Sequence, residues 1–223
     1  FAIVADMEHS EALEFLNKEL GQLPSGDAPE KVWVPQKGNN KVIFNEFGME
    51  NSSIDISWPI DKEYLFKNSL ELLVSSAILG KGNNSRLNRK LREKLGLVYG
   101  VFSSISSIST FSSWLEISTQ TNIENTEIVI EECLSVVQEY QRLVPTIEEF
   151  EQCMNNSLFN MKLEFVNELK VMNAVRTSMM YDKKFISAEN ELTKLFSLTI
   201  DDVKDVIKPI LETPPLIVVH MPK

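Results

Sequence analysis

Residues 85 to 101 read Ser-Arg-Leu-Asn-Arg-Lys-Leu-Arg-Glu-Lys-Leu-Gly-Leu-Val-Tyr-Gly-Val, and within that run Arg92 and Tyr99 stand seven residues apart. Their side chains carry complementary chemistry. A guanidinium never deprotonates and offers a planar fork of donors. A phenol donates one hydrogen bond and can stabilise charge developing on an oxygen. The spacing crosses a predicted junction, with a helix from about Ser85 to Leu95 ending at Gly96 and a strand starting at Leu97. Neighbouring elements of that kind can turn both groups toward one cleft.

The elements that must hold the pair follow from the rest of the pattern. Met7 to Leu20 reads as an amphipathic helix with Ala12, Leu13, Leu16 and Leu20 on one face, Ser10 as its N-cap and Gly21 as its stop. Residues 24 to 40 are rich in Pro, Gly and Asn, the composition of a linker. Strands follow at Lys41–Phe47 and Ser53–Trp58; in the second, Ile54, Ile56 and Trp58 alternate with Asp55 and Ser57, which calls for a sheet with one wet face. A helix from about Asp61 to Leu79 buries Leu70, Leu73, Val74 and Ala77. Leu97–Ile105 and Thr110–Thr119 form an antiparallel hairpin.

Asn125–Arg142 is a helix with Ile130, Cys133, Leu134 and Val137 inward. Thr146 and Glu149 make a capping box for a long helix whose apolar stripe runs from Ile147 through Phe150, Met154, Leu158, Met161, Phe165, Leu169 and Met172 toward Met179, with a break expected near Glu164 to Glu168. That stripe reads as core, with Arg176 near its end. Thr199 caps a last helix, with Asp201 and Asp202 set favourably against its dipole, and Leu216–Met221 is a strand. Strands in pairs and helices in pairs specify α+β, an antiparallel sheet with helices packed on one face.

Bulk properties bound the function. The 223 residues carry 22 Lys and Arg against 32 Asp and Glu, a formal charge of −10, which argues against nucleic acid and anionic membrane surfaces as partners. No stretch of about 18 apolar residues occurs, so no membrane span is expected. Cys133 and Cys153 are too few for a disulfide framework and read as free core thiols. His9 and His220 lie near opposite ends, and the sequence contains neither His-x-x-x-His nor His-x-x-Glu-His, so no local zinc motif exists. Phe1–Ala5 reads as a strand already under way, the start expected of a processed product or a cut fragment.

The run Gly82-Asn83-Asn84-Ser85-Arg86-Leu87, followed by Leu91-Arg92-Glu93-Lys94-Leu95-Gly96-Leu97-Val98-Tyr99, resembles the signature of the second domain of the pitrilysin/insulinase family. These are zinc metallopeptidases with an inverted His-x-x-Glu-His motif, and they include the mitochondrial processing peptidase. The helix start at Thr146, Glu148 and Glu149 and the closing Leu198-Thr199-x-Asp-Asp-Val203 are also similar. The resemblance implies a layout: residues 1–23 as the closing strand and helix of a preceding homologous domain, 24–40 as linker, and 41–223 as the C-terminal peptidase-family domain.

It further implies that Arg92 and Tyr99 reach across a cavity to bind an extended peptide substrate and support the oxyanion of the tetrahedral intermediate, neither acting as the base. Zinc is then expected in the missing or partner domain, a zinc-bearing N-terminal domain or partner subunit. This chain alone holds no metal ligand set and no catalytic residue, and it should be inactive in isolation. The family also implies an alternative, a proteolytically inactive structural or assembly subunit.

Plainer readings stand beside these. Without the resemblance, Arg92 belongs to a solvated helix face and Tyr99 to half-buried strand packing. Arg86 reads as a brace for its loop, Asn83 and Asn84 as turn formers, Asp55, Asp61 and Glu63 as a solvated sheet edge, and His220 as a core or edge histidine.

Overall fold

A computed structural model of the chain describes residues 5–26, 41–108, 112–165, 172, 173, 175, 176, 179 and 188–223. The expected strand at Phe1–Ala5, most of the linker and the later part of the Met-rich stripe lie outside the described residues. In chain order the elements are α1 (His9–Leu20), β1 (Lys41–Glu46), β2 (Ser52–Ile60), α2 (Lys62–Lys67), α3 (Ser69–Gly80), a π-helix (Asn88–Lys94), β3 (Val101–Ile108) and β4 (Ser112–Thr121). After these come α4 (Thr126–Arg142), α5 (Ile147–Phe165), α6 (Ala188–Ser197), two short helices at Ile200–Val203 and Lys208–Leu211, and β5 (Leu216–Pro222).

The strands form one sheet in the order β1-β5-β2-β4-β3. Its joins are antiparallel except at one edge, where β1 runs parallel to β5. Strict alternation drives the sheet's two-faced character. Ile54, Ile56, Trp58 and Ile60 of β2 and Leu115 and Ile117 of β4 are buried, while Ser53, Asp55 and Ser57 point the other way. The helices cover the apolar face: Leu72, Val74, Ile78 and Leu79 of α3 and Val129, Cys133, Val136 and Val137 of α4 join the same core as β2 and β4. No described helix covers the opposite face, whose β2 and β4 side chains are half-buried to exposed.

Two sequence expectations shift. The helix expected over Asp61 to Leu79 is two helices broken at Asn68, whose side chain donates to the Tyr64 carbonyl at 2.9 Å. Restarting at Ser69 resets the rotation, so Leu72 is buried and Leu73 is exposed. The helix around Arg92 is a π-helix over Asn88–Lys94. The helix α5 is described as far as Phe165, and most of the stretch where a break was expected, 166–168, lies outside the described residues.

The caps are as read: Thr146 N–H donates to Glu149 Oε2 at 2.9 Å while Glu149 N–H donates to Thr146 Oγ1 at 3.2 Å. Thr199 and Asp202 repeat the arrangement. The helix α1 is capped from Glu8 rather than Ser10, with Glu11 Oε2 accepting from the Glu8 N–H at 3.3 Å. None of its residues is buried.

Candidate functional site

The site grows out of the connection between α3 and β3. Gly82, at φ +89°, turns the chain out of α3 in a conformation that favours glycine, and Gly96, at φ +63°, does the same at the end of the π-helix. Between them the π-helix turn carries Arg92. Such wide turns recur at functional sites.

Tyr99 is not on the strand, which begins only at Val101. Residues 97–100 are tethered by hydroxyls instead of a ladder: Thr121 Oγ1 donates to the Leu97 carbonyl at 2.7 Å and Thr119 Oγ1 to the Gly100 carbonyl at 2.8 Å. Freed from the pleat, Tyr99 stands 91% exposed, unlike the half-buried packing a strand tyrosine would show.

The two side chains meet. The Arg92 guanidinium lies over the Tyr99 ring, 5.5 Å from its centroid, and Arg92 Nη1 donates to Asn83 Oδ1 at 3.0 Å. Both line a pocket of about 400 Å³ whose floor comes from the open sheet face, with Ser53 of β2 and Ser118 and Gln120 of β4, and whose side wall is Phe102 of β3.

Asn88 sets the geometry from beneath. It is buried, and its Nδ2 donates to the Gly82 carbonyl at 3.1 Å, Ser85 Oγ at 3.1 Å and the Val101 carbonyl at 2.7 Å, while its Oδ1 accepts from Val101 N–H at 3.3 Å. One amide thus ties the loop bearing Asn83 to the strand start beyond Tyr99. The sequence reading missed it; its only local signal is an amide where a buried helix face would otherwise be apolar.

Across the π-helix the chemistry differs. Arg86 donates through Nε and Nη2 to Glu149 at 2.9 and 2.8 Å, and caps the Leu143 and Val144 carbonyls at 2.8 and 3.1 Å. Its guanidinium lies 4.7 Å from the Tyr140 ring centroid, and Arg89 adds a second cation to Glu149 at 2.5 Å. Burial alone would raise the Glu149 carboxyl. The Arg86 hydrogen bonds, the Thr146 N–H and the two positive charges outweigh it and bring the group down to about 2. Burial pushes the Tyr140 phenol up; its hydroxyl is held by Ser75 Oγ at 2.9 Å. Arg86 is therefore the brace expected of it. A pocket of about 460 Å³ on this flank includes Glu149, Gln152 and Cys153, but its carboxylate is already taken by the two arginines.

The remaining candidates lie elsewhere. Cys133 and Cys153 are buried and joined in no disulfide, and burial pushes the Cys133 thiol up to about 12. His220 stacks on Phe44 with ring centroids 5.2 Å apart and meets Glu46 Oε1 at 2.6 Å on the β1–β5 edge. Among the described residues no group of three His, Cys, Asp or Glu is placed to hold a metal ion, so the donors present here do not fit zinc. No described helix is long and apolar enough to cross a membrane.

The sequence model of the peptidase M16 inactive domain matches residues 1–157. A non-peptidase homolog, YmxG, of Helicobacter pylori (strain ATCC 700392 / 26695) is 30% identical over 123 residues, covering 52% of this chain and 28% of its own length. The solved structure of a peptidase M16 inactive domain from Pseudomonas fluorescens is similar with a TM-score of 0.82 at 23% identity, over 98% of this chain and 52% of that one. That of a protease from Helicobacter pylori is similar with a TM-score of 0.80 at 17% identity, over 98% and 54%. The chain thus spans about half the length of these solved structures and under a third of the curated relative. At these identities the structural likeness shows the α+β fold.

Proposed function

The chain belongs to the peptidase M16 inactive-domain family, and from that premise we propose that it is the substrate-binding, non-zinc half of a zinc metallopeptidase of this kind, with its zinc-bearing counterpart supplied by a preceding domain or a partner subunit. The observation that carries the reading is the convergence of Arg92 and Tyr99 on one pocket at the end of the open sheet face. An extended peptide laid there meets a guanidinium that can hold a backbone carbonyl in a fixed orientation. It also meets an exposed phenol that can donate to the oxygen on which negative charge develops. Both groups position and stabilise, and neither moves a proton as the base.

The layout of residues 1–23 as the end of a preceding domain, 24–40 as linker and 41–223 as the C-terminal domain belongs to the same proposal. The apolar side chains of α1 support it, since Leu13 and Phe15 remain exposed and no α1 residue is buried against the described fold.

The test pairs the chain with its zinc-bearing half and replaces Tyr99 by Phe. Turnover is expected to fall by about ten- to a thousand-fold with unchanged folding; undiminished cleavage removes Tyr99 from the chemistry. A second reading has its own support: the Helicobacter pylori relative is named a non-peptidase homolog. On that reading the chain is an inactive structural or assembly subunit, and the paired protein cleaves no peptide with either Tyr99 or Phe in place.

A further inference from the structure

Basic side chains crowd the π-helix, and their partners differ. Arg86 and Arg89 share Glu149, and Lys90 reaches Glu132 Oε2 at 3.2 Å. Arg92 instead has a neutral partner, the amide oxygen of Asn83, and the face of Tyr99. A guanidinium carries five N–H donors, and one hydrogen bond to Asn83 leaves most of the fork unspent.

Among the described residues no acid forms an ion pair with it. The described residues lining the pocket include no Asp or Glu, in a chain with 32 of them. Asp55, next along that face, accepts from Ser118 Oγ at 2.5 Å, and Glu116 is met by Ser106 Oγ at 3.4 Å. Among its described lining residues the pocket carries one positive charge and no carboxylate, beside a phenol, with hydroxyl and amide groups on its floor.

We propose that this pocket selects a peptide carboxylate, seated on the Arg92 fork beside Tyr99 and supplied by a free C-terminus or an acidic side chain. The proposal rests on the reading that the pocket takes peptide, and adds the group it prefers. A neutral carbonyl can take one of the donors; a carboxylate takes two in parallel through charge-assisted bonds about twice as strong.

The experiment measures binding of unlabelled, N-acetylated apolar hexapeptides to the 223-residue chain by isothermal titration calorimetry. One peptide ends in a free carboxylate, one is amidated, and one is amidated with a single internal Glu. The free-acid or Glu peptide is expected to bind about five- to tenfold tighter than the neutral one at low salt, the advantage shrinking as salt screens the pair. Which of the two gains shows the source of the carboxylate. Arg92→Gln should erase the preference and Arg92→Glu should invert it. Arg92 is exposed, and an unshifted thermal midpoint for each variant keeps the comparison free of unfolding. Equal affinity for all three peptides overturns the carboxylate preference while leaving the peptide seat in place. Binding of none of them overturns the peptide reading itself.

Discussion

The two flanks of the π-helix use the same residue types to opposite ends. On one, Arg86 and Arg89 converge on Glu149, and the Arg86 and Glu149 side chains keep only 12% and 13% of their exposure. On the other, Arg92 leans on an uncharged amide and an exposed ring at the mouth of a pocket. An arginine whose charge is met inside the fold stabilises the loop to which α5 is anchored. One left with neutral company keeps its electrostatic capacity for a visitor. Local composition does not separate the two, because both lie in one basic run; what separates them is whether a distant helix brings a carboxylate to the spot.

That contrast can be attacked most forcefully at Glu149. Glu149→Ala strands the Arg86 charge at a largely buried position and should cost about 2–4 kcal/mol in a denaturant melt; a loss below about 1 kcal/mol would mean that the flank is not a structural anchor. Next is Asn88→Ala. It leaves the Gly82 and Val101 carbonyls short of a donor, so about 1–3 kcal/mol should be lost. NMR signals of Tyr99 should also shift, since the amide ties both sides of the pocket; unmoved Tyr99 signals would separate Asn88 from the site.

Acid provides a milder probe of the braced flank. The Glu149 carboxyl sits below its ordinary value of about 4.3 when folded, so its contribution is full above that value and drains away as pH falls toward about 2. About 1–2 kcal/mol should disappear across that window after solvent screening is allowed for. Glu149→Gln should flatten this part of the stability profile, and an unchanged acid limb would place the titration elsewhere. Smallest is Arg92→Gln, expected to alter stability by less than about 0.5 kcal/mol. A large loss there would make Arg92 a second brace and dissolve the contrast.

Much of this architecture was legible where the signal is local. The alternation of Ile54, Ile56 and Trp58 specified the inner face of β2, and the Thr146–Glu149 and Thr199–Asp202 spacings specified two helix starts. Glu149, however, was legible only as a cap. Its role as the acceptor for Arg86 depends on a contact across 63 positions that no short pattern carries. The setting of Tyr99 was not legible: apolar Leu97 and Val98 suggest a strand, while the Thr119 and Thr121 hydroxyls claim the carbonyls a ladder would need. The pocket floor was illegible for the same reason as Glu149, because Ser53, Ser118 and Gln120 arrive through strand pairing.

The strand order has a consequence for assembly. β5, the last of the five to leave the ribosome, is inserted between β1 and β2, and Lys223 N–H still reaches back to the Glu46 carbonyl at 3.0 Å. The hairpin and its covering helices can collapse during synthesis, but β1 has no neighbour to pair with until that closing segment emerges. Among the described residues, this parallel edge is therefore the last part of the sheet that can close.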